Sequence, residues 1–93
     1  KVIFSKKGSF RSGDIHDTIQ YDVVLSGRVN VTIKTDLRDC IMQFSANAFI
    51  LIPENIPHLF EFATDCVMLE WWGKQPVGIK YYPPYRDRVD KQQ

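Results

Sequence analysis

The sequence predicts an all-β protein, a small sandwich or barrel, and three observations support that prediction. Short strand-like runs recur at spacings of roughly 8–12 residues, which is typical of sandwiches and barrels. Helical periodicity is nearly absent, and Gly, Pro, Asn and Ser separate the runs. The 93 residues leave room for one core, so we expect a single domain over residues 1–93. The barrel should span about residues 1–72, followed by an aromatic, proline-rich tail over residues 73–93.

The first half of the chain contains four strand candidates, which are Lys1–Phe4, Ser9–Arg11, Tyr21–Leu25 and Arg28–Lys34. The second candidate should end at Ser12–Asp14, because a Ser-Gly-Asp run favours a turn. The third and fourth flank Ser26–Gly27, and two strand-like runs around such a pair predict a β-hairpin. In the fourth, Val29, Val31 and Ile33 alternate with polar residues and should share one face.

The second half contains four more candidates, which are Cys40–Phe44, Ala48–Ile52, His58–Phe62 and Cys66–Trp72. Ala48–Ile52 is wholly apolar, as expected of a strand that is covered on both faces. In the tail, Pro83 and Pro84 exclude a central strand, since proline cannot donate to the hydrogen-bond ladder. Val89–Gln93 is polar enough that we expect it to fray.

The composition argues against several classes of partner. Twelve basic and eleven acidic residues give a net charge of +1, and the basic residues are scattered, so we expect no nucleic-acid partner. The apolar runs are far shorter than the ~20 residues of a membrane helix, so we expect no membrane partner. Cys40 and Cys66 lack zinc-type spacing, and we expect buried, free thiols in a cytoplasmic protein.

The only two histidines of the chain, His16 and His58, stand in recognisable surroundings. His16 lies four residues before Gln20 and eleven before Gly27, and Pro53 lies five residues before His58. This spacing resembles the two motifs of the cupin family, with the glycines that bracket the first motif matched by Gly8 and Gly27. The resemblance covers about residues 8–72. It implies a cupin-type jelly-roll barrel with the two histidines and Gln20 projecting into its mouth.

The motifs also depart from the family pattern at positions that bear on chemistry. Asp14 stands where the first histidine of a His-x-His pair is usual, and Gln20 replaces a glutamate. Asn55 replaces a turn-forming glycine, a mild change because asparagine tolerates positive φ. His16, His58 and Asp14 would form a facial set for divalent iron, nickel, manganese or zinc. Gln20 would be a weaker, neutral ligand.

A narrower resemblance is to metal-free cupins that isomerise nucleotide-linked keto sugars. It is carried by Arg11 before the first motif and by the late strand Ala63–Leu69. It implies an isomerase or epimerase acting on a carbohydrate, with His16 as base and His58 or Tyr21 as acid. Arg11 would bind a phosphate bidentately. The alternatives are a metal-dependent dioxygenase and a non-catalytic module that binds or senses a small molecule.

The aromatic residues of the second half suggest a ligand wall and a partner. Trp71 and Trp72 are consecutive, so on a strand they point to opposite faces. We assign Trp71 to the barrel wall, where its indole would contact a sugar, and expect the tail or a partner to cover the other side chain. The tail carries three tyrosines, Tyr81, Tyr82 and Tyr85, and would form a lid or an arm that clasps a second subunit. Because the domain is small, we expect a homodimer.

Overall fold

The structure is a computed structural model that describes residues 1–92, and within this range it contains nine β-strands and one α-helix. The strands are β1 Val2–Ser5, β2 Phe10–His16, β3 Gln20–Ser26, β4 Arg28–Lys34, β5 Asp39–Ser45, β6 Phe49–Ile52, β7 His58–Phe62, β8 Cys66–Trp72 and β9 Ile79–Tyr81. The helix, α1, spans Pro83–Lys91. The all-β prediction is confirmed, with α1 as a short addition near the end of the chain.

The strands form two antiparallel sheets around one core. One sheet has the order β1-β8-β3-β6, and the other has the order β5-β4-β7-β2-β9. Both sheets contribute to the main core cluster, which comprises Val24, Val29, Val31, Ile50, Ile52, Phe60, Phe62, Cys66 and Met68. Each such apolar side chain contributes about 1.5–3 kcal/mol when it is buried. The core is therefore the main interaction that holds the two sheets together.

The alternation predicted for β4 is confirmed, but the predicted hairpin is wrong. Val29 and Val31 are fully buried, whereas Arg28 is exposed. However, β3 pairs with β6 and β8, and β4 pairs with β5 and β7. The turn at Gly27 therefore carries the chain from one sheet to the other. Gly27 has φ +90°, and a Cβ there would overlap the carbonyl oxygen of Asp65, so the position requires glycine.

Strand β2 continues through the turn predicted at Ser12–Asp14. The strand keeps its pairing with β7 on both sides of a bulge between Ser12 and Asp14. Ser12 and Gly13 have positive φ values of 80° and 69°, and a Cβ on Gly13 would lie 2.6 Å from the Cα atom of Arg86. The residues of the predicted turn do have turn-like backbone angles, but β2 stays paired with β7, so they form a β-bulge and the strand does not end there. Its consequence is that Asp14 faces the interior opposite His58.

The wholly apolar run at β6 is not covered on both faces, so that prediction is wrong. Ile50 and Ile52 are buried in the core, but Phe49 and Leu51 are 55% and 50% exposed. The turns predicted before and after this strand are present. Asn47 and Asn55 have φ values of 76° and 63°, which asparagine tolerates.

Within residues 73–92 the tail forms an edge strand and a helix, and the fraying predicted for Gln93 lies outside the described residues. β9 pairs with β2, which extends the five-stranded sheet beyond residue 72. Pro83 and Pro84 occupy the first turn of α1, where no backbone donor is needed. Tyr85 and Val89 lie four residues apart on one helix face and are buried against Leu59. The predicted fraying of Val89 is wrong because its side chain completes this second apolar cluster.

Replacement of Tyr85 with phenylalanine should lower the free energy of unfolding by about 1 kcal/mol. The Tyr85 hydroxyl donates a 2.6 Å hydrogen bond to Asp39 Oδ1, and the ring itself is buried. Urea denaturation should therefore show a lower midpoint with an unchanged slope. Tyr81→Phe, at a side chain that is 58% exposed, is the matched control and should leave the midpoint unchanged. An equal effect of the two substitutions would contradict this assignment.

Within residues 1–92, no helix is long and apolar enough to cross a membrane. In the same range Cys40 and Cys66 are free thiols, and Cys66 is buried. Burial raises the pKa of the Cys66 thiol above its usual value, which keeps it protonated and unreactive at neutral pH.

Candidate functional site

The predicted site residues of β2 and β7 meet in the interior. Asp14 and His58 are directly opposite each other in the antiparallel register of these strands. His16 lies two residues after Asp14, so it projects from the same face of β2. All three side chains are buried, and one ligand atom from each lies within 4.8 Å of the others. Such a cluster can hold one metal ion.

The two imidazoles face the same carboxylate oxygen. Asp14 Oδ1 lies 3.3 Å from His58 Nε2 and 3.5 Å from His16 Nε2. The two imidazole rings have centroids 5.0 Å apart and are tilted by 42°. Ser12 Oγ donates a 2.6 Å hydrogen bond to Asp14 Oδ1, and this orients the carboxylate.

The hydrogen bonds of His58 determine which of its nitrogens carries the proton. His58 Nδ1 lies 3.0 Å from the carbonyl oxygen of Ile56, and a carbonyl only accepts, so Nδ1 carries the hydrogen. Burial lowers the pKa of His58 below its usual range, outweighing the opposing hydrogen bond to Ile56 and the Asp14 charge. The ring is therefore neutral at pH 7, and Nε2 carries a lone pair.

This lone pair makes the cluster suitable for a cation. His58 Nε2 is buried and has no hydrogen-bond partner among residues 1–92, although Asp14 Oδ1 lies 3.3 Å away. A lone pair and a carboxylate oxygen repel each other unless a proton or a metal ion lies between them. A backbone carbonyl that orients a ligating imidazole through its other nitrogen is a common feature of metal sites. The donor set of two imidazoles and one carboxylate therefore fits a divalent transition metal.

Gln20 lies in the interior, where its amide nitrogen bridges two acidic residues. Gln20 Nε2 donates to Asp22 Oδ2 at 2.8 Å and to Glu70 Oε1 at 2.9 Å. Its Oε1 atom is buried without a partner among the described residues. The role of Gln20 as a metal ligand therefore stays a prediction. A glutamate at this position would have placed a third carboxylate beside two others.

Asp22 and Glu70 form a buried pair that retains a proton. They are cross-strand partners of β3 and β8, and the two residues are 0% and 4% exposed. Burial, and then the hydrogen bond and charge of Glu70, raise the pKa of Asp22 to about 9. Asp22 is therefore neutral at pH 7. Arg11 lies on the other side of the pair, with its Nη2 atom 3.7 Å from Glu70 Oε2.

A pocket of about 350 Å³ opens beside this cluster. Its floor includes Asp14, His16, Gln20 and Glu70. Basic side chains also line it, which are Lys1, Arg11 and Arg86. The pocket thus combines neutral and acidic groups in the interior with a basic rim. Arg11 lines the pocket, as a substrate-binding residue must.

Tyr21 and Trp71 do not line this pocket, and their assignment to the barrel interior is corrected. The two side chains stack on each other with ring centroids 5.5 Å apart, on the outward face of β3 and β8. Trp72 points inward instead, and its ring contacts His16 edge-on at 5.8 Å. Alternation predicted correctly that the tryptophans point to opposite faces, but both faces of β8 carry apolar residues. Apolarity alone therefore did not distinguish the inward tryptophan from the outward one.

Sequence reasoning missed the interior roles of Glu70 and Trp72. Both follow the period of two from Cys66 and Met68, which are buried, so counting from these residues would have placed them inside. It also missed Arg86, whose Nη1 atom donates to the carbonyl oxygen of Ser12 from helix α1. No pattern in the sequence connects positions 12 and 86, because tertiary packing alone brings them together.

No protein-family model and no curated protein sequence matches the chain, but solved structures do. An oxalate decarboxylase of Bacillus subtilis, described with Mn(II) centres, has a TM-score of 0.76 at 18% identity, covering 86% of this chain. The W96F variant of the same enzyme has a TM-score of 0.69 at 19% identity, covering 76% of this chain. This chain spans only 22% and 19% of those two chains, about a fifth of their length. A structure of Drosophila melanogaster CENP-C bound to CAL1 has a TM-score of 0.67 at 13% identity, covering 77% of this chain and 62% of its own.

Proposed function

Because the chain has the cupin fold that its motifs predicted, we propose that it is a metal-binding cupin that acts on a small, oxygen-rich anionic molecule. Asp14, His16 and His58 would hold one divalent cation in the interior of the barrel. Manganese, iron, nickel and zinc all suit imidazole and carboxylate ligands. When bound, such an ion supplies Lewis-acid polarisation of a substrate oxygen or redox chemistry, according to the metal.

One observation carries this proposal, the buried and unpaired Nε2 atom of His58. Its lone pair lies 3.3 Å from Asp14 Oδ1, and the Ile56 carbonyl holds the ring in the tautomer that presents this lone pair. Burying a polar atom without a partner costs about 1–3 kcal/mol. A cation shared by His58, His16 and Asp14 removes that cost and explains why the three groups converge.

The pocket supports a small anionic substrate. Its volume of about 350 Å³ is at the lower end of small-molecule sites, so a sugar or a carboxylic acid fits better than a whole nucleotide sugar. Arg11 presents a guanidinium that is 39% exposed, suitable for bidentate binding of a carboxylate or phosphate. Trp72 supplies an apolar wall next to His16.

The metal-free carbohydrate isomerase is the second candidate function. It is favoured by His16 Nδ1, a buried ring nitrogen without a hydrogen-bond partner among residues 1–92. A neutral imidazole placed in this way can take a proton from a carbon beside a keto group and return it to a neighbouring carbon. His58 would then be the acid, because its ring lies 5.0 Å from that of His16, whereas Tyr21 stacks on Trp71 on the outward face of the sheet. A third candidate, a binding module without catalysis, is supported by the structural similarity to a chain in the structure of CENP-C bound to CAL1.

The free thiols support a reducing compartment. Cys40 is half-buried and Cys66 is buried, and neither forms a disulfide in the described residues. Thiols persist in the cytosol because glutathione and thioredoxin keep them reduced. We therefore propose the cytoplasm as the location of the chain.

Calorimetric titration of the chelator-treated protein tests the first candidate against the second. We expect one divalent ion per chain, and a melting temperature that rises with metal concentration because the ion binds only the folded site. Manganese, iron, nickel and zinc should be compared in the same buffer. Absence of both binding and thermal stabilisation with all four metals would refute the metal proposal and leave the isomerase. Turnover of keto sugars should then be assayed on the metal-free protein.

A further inference from the structure

The four-stranded sheet has an outer face that carries only apolar and aromatic residues. Residues that alternate with the buried ones on its strands point outward. They are Val2 and Phe4 on β1, Tyr21, Val23 and Leu25 on β3, Phe49 and Leu51 on β6, and Val67, Leu69 and Trp71 on β8. We call these ten residues the outer face. None of them is charged.

The outer surface of the five-stranded sheet has a different composition. There, the apolar Leu59 is covered by Tyr85 and Val89 of helix α1. Exposed positions of the same sheet are mixed: Arg28, Gln43 and Glu61 are polar or charged, whereas Ile41 and Met42 on the edge strand β5 are apolar. Antiparallel sheets with one solvated face normally show such alternation between apolar and polar residues. The outer face lacks the polar half of that pattern and has no helix over it in residues 1–92.

The centre of the outer face is a preformed aromatic cluster. Tyr21 stacks on Trp71 at 5.5 Å with an interplanar angle of 20°, and Phe49 meets Trp71 edge-on at 6.2 Å. Tyr21 and Phe49 are also in contact, with centroids 5.9 Å apart. Aromatic side chains that already hold each other in place lose little entropy on binding, and they are enriched at the anchor points of interfaces.

The size of the outer face matches what a dimer needs. Its members include Phe4 at 79%, Phe49 at 55%, Val2 at 53%, Leu51 at 50%, Leu25 at 47% and Trp71 at 41% exposure. Aromatic side chains present about 150–250 Å² each when fully exposed, so Phe4, Phe49 and Trp71 alone offer roughly 350 Å², to which the exposed aliphatic members add. The largest apolar patch of a typical monomer is about 300–600 Å², and a standard interface buries about 800 Å² per partner. The outer face and a modest rim reach that size.

We propose that the outer face is the interface of a homodimer, in which a second copy of the chain packs its own four-stranded sheet against it. A two-fold axis brings identical patches together, so the partner must match the face in shape and in charge. A face without charges meets no like-charge repulsion from its own copy, and sheets pack well face to face at about 10 Å. The interface would bury Tyr21 and Trp71, whose outward position the pocket does not explain.

Sedimentation equilibrium of the full chain at micromolar concentration tests the proposal. We expect a dimer for the wild-type protein and a monomer for Phe49→Glu and for Phe4→Glu, with at least a tenfold weaker association. Phe4 is 79% exposed in the single chain, so its substitution should leave folding intact, which circular dichroism checks. Ile41→Glu, on β5 of the other sheet and 67% exposed, is the matched control and should stay dimeric.

Two results would overturn the proposal. A wild-type chain that stays monomeric throughout the micromolar range would mean that the outer face serves a different partner or none. A wild-type dimer that neither Phe49→Glu nor Phe4→Glu weakens would mean that the chain associates through another surface. Equal weakening by Ile41→Glu would point to the opposite sheet and would likewise contradict the assignment.

Discussion

Asp22→Asn is expected to raise the free energy of unfolding at pH 7 by several kcal/mol, as measured by urea denaturation. The reason is that Asp22, 0% exposed beside Glu70, has its pKa raised to about 9 by burial and by this neighbour. In the unfolded chain the same carboxyl has the ordinary aspartate pKa of 3.8. At pH 7 folding must therefore take up a proton, which opposes folding by about 1.4 kcal/mol for each pH unit above the unfolded pKa.

The sign of the pH dependence follows from the same difference. The pKa of Asp22 is higher in the folded state than in the unfolded state. Its favourable contribution to the free energy of unfolding is therefore fully present below pH 3.8, and it is lost progressively as the pH rises towards about 9. The wild-type protein should thus lose stability over this interval, and the Asp22→Asn variant should lose much less. The amide can replace the protonated carboxyl because it donates to Glu70 and accepts from Gln20 Nε2.

Asp36→Asn, at an exposed loop position, is the matched control and should leave the pH profile unchanged. All measurements should be made with a chelator present, so that metal binding does not contribute. Identical pH slopes for wild type and Asp22→Asn would show that Asp22 does not hold the proton.

His58→Gln is expected to weaken divalent metal binding about 100-fold or more, as measured by calorimetric titration. His58 Nε2 is the ligand atom whose lone pair lies 3.3 Å from Asp14 Oδ1, and a neutral amide is a much weaker ligand. Loss of a group that only hydrogen-bonds to a metal ligand typically lowers metal affinity about 10–100-fold. Loss of a direct ligand should therefore lower metal affinity by at least the upper end of that range. The thermal stabilisation by saturating metal should shrink in parallel.

Asp17→Asn provides the matched control for metal binding. Asp17 immediately follows His16, but it is exposed and pairs with Lys74 at 3.0 Å, outside the cluster. Its amide replacement can still accept the hydrogen bond from the Gly78 backbone. Metal affinity should therefore be unchanged in Asp17→Asn. Wild-type affinity in His58→Gln would exclude His58 as a ligand and, with it, the proposed metal centre.

Local patterns predicted the strand bounds correctly where alternation or a flanking turn clearly marks the strand. The bounds of β4, β7 and β8 were predicted as Arg28–Lys34, His58–Phe62 and Cys66–Trp72, and the structure has these ranges. In β4 the alternation is clean, and in β7 a proline-rich turn marks the start. Such signals depend on a few adjacent residues, so they can be interpreted without knowledge of the fold.

The errors occurred where the outcome depends on distant parts of the chain. The apolar run of β6 suggested burial on both faces, but Phe49 and Leu51 lie on the uncovered outer face. The turn at Ser26–Gly27 suggested a hairpin, but β3 and β4 belong to different sheets. The tail suggested fraying, but Leu59 provides an apolar surface for Val89. In each case the local pattern is compatible with two structures, and contacts with distant parts of the chain determine which one forms.

By itself, the sequence predicted an all-β sandwich or barrel, since strand periodicity is a local property. The resemblance of its motif spacing to that of cupins implied the jelly-roll barrel and the convergence of His16 and His58. Only the tertiary structure decided that a bulge at Ser12–Gly13 places Asp14 opposite His58, and that Trp72 rather than Trp71 contacts His16. The same is true of the pairing of Asp22 with Glu70, which lie on neighbouring strands that are far apart in the sequence. Inter-strand register sets these distances, and register is a collective result of packing both sheets on one core.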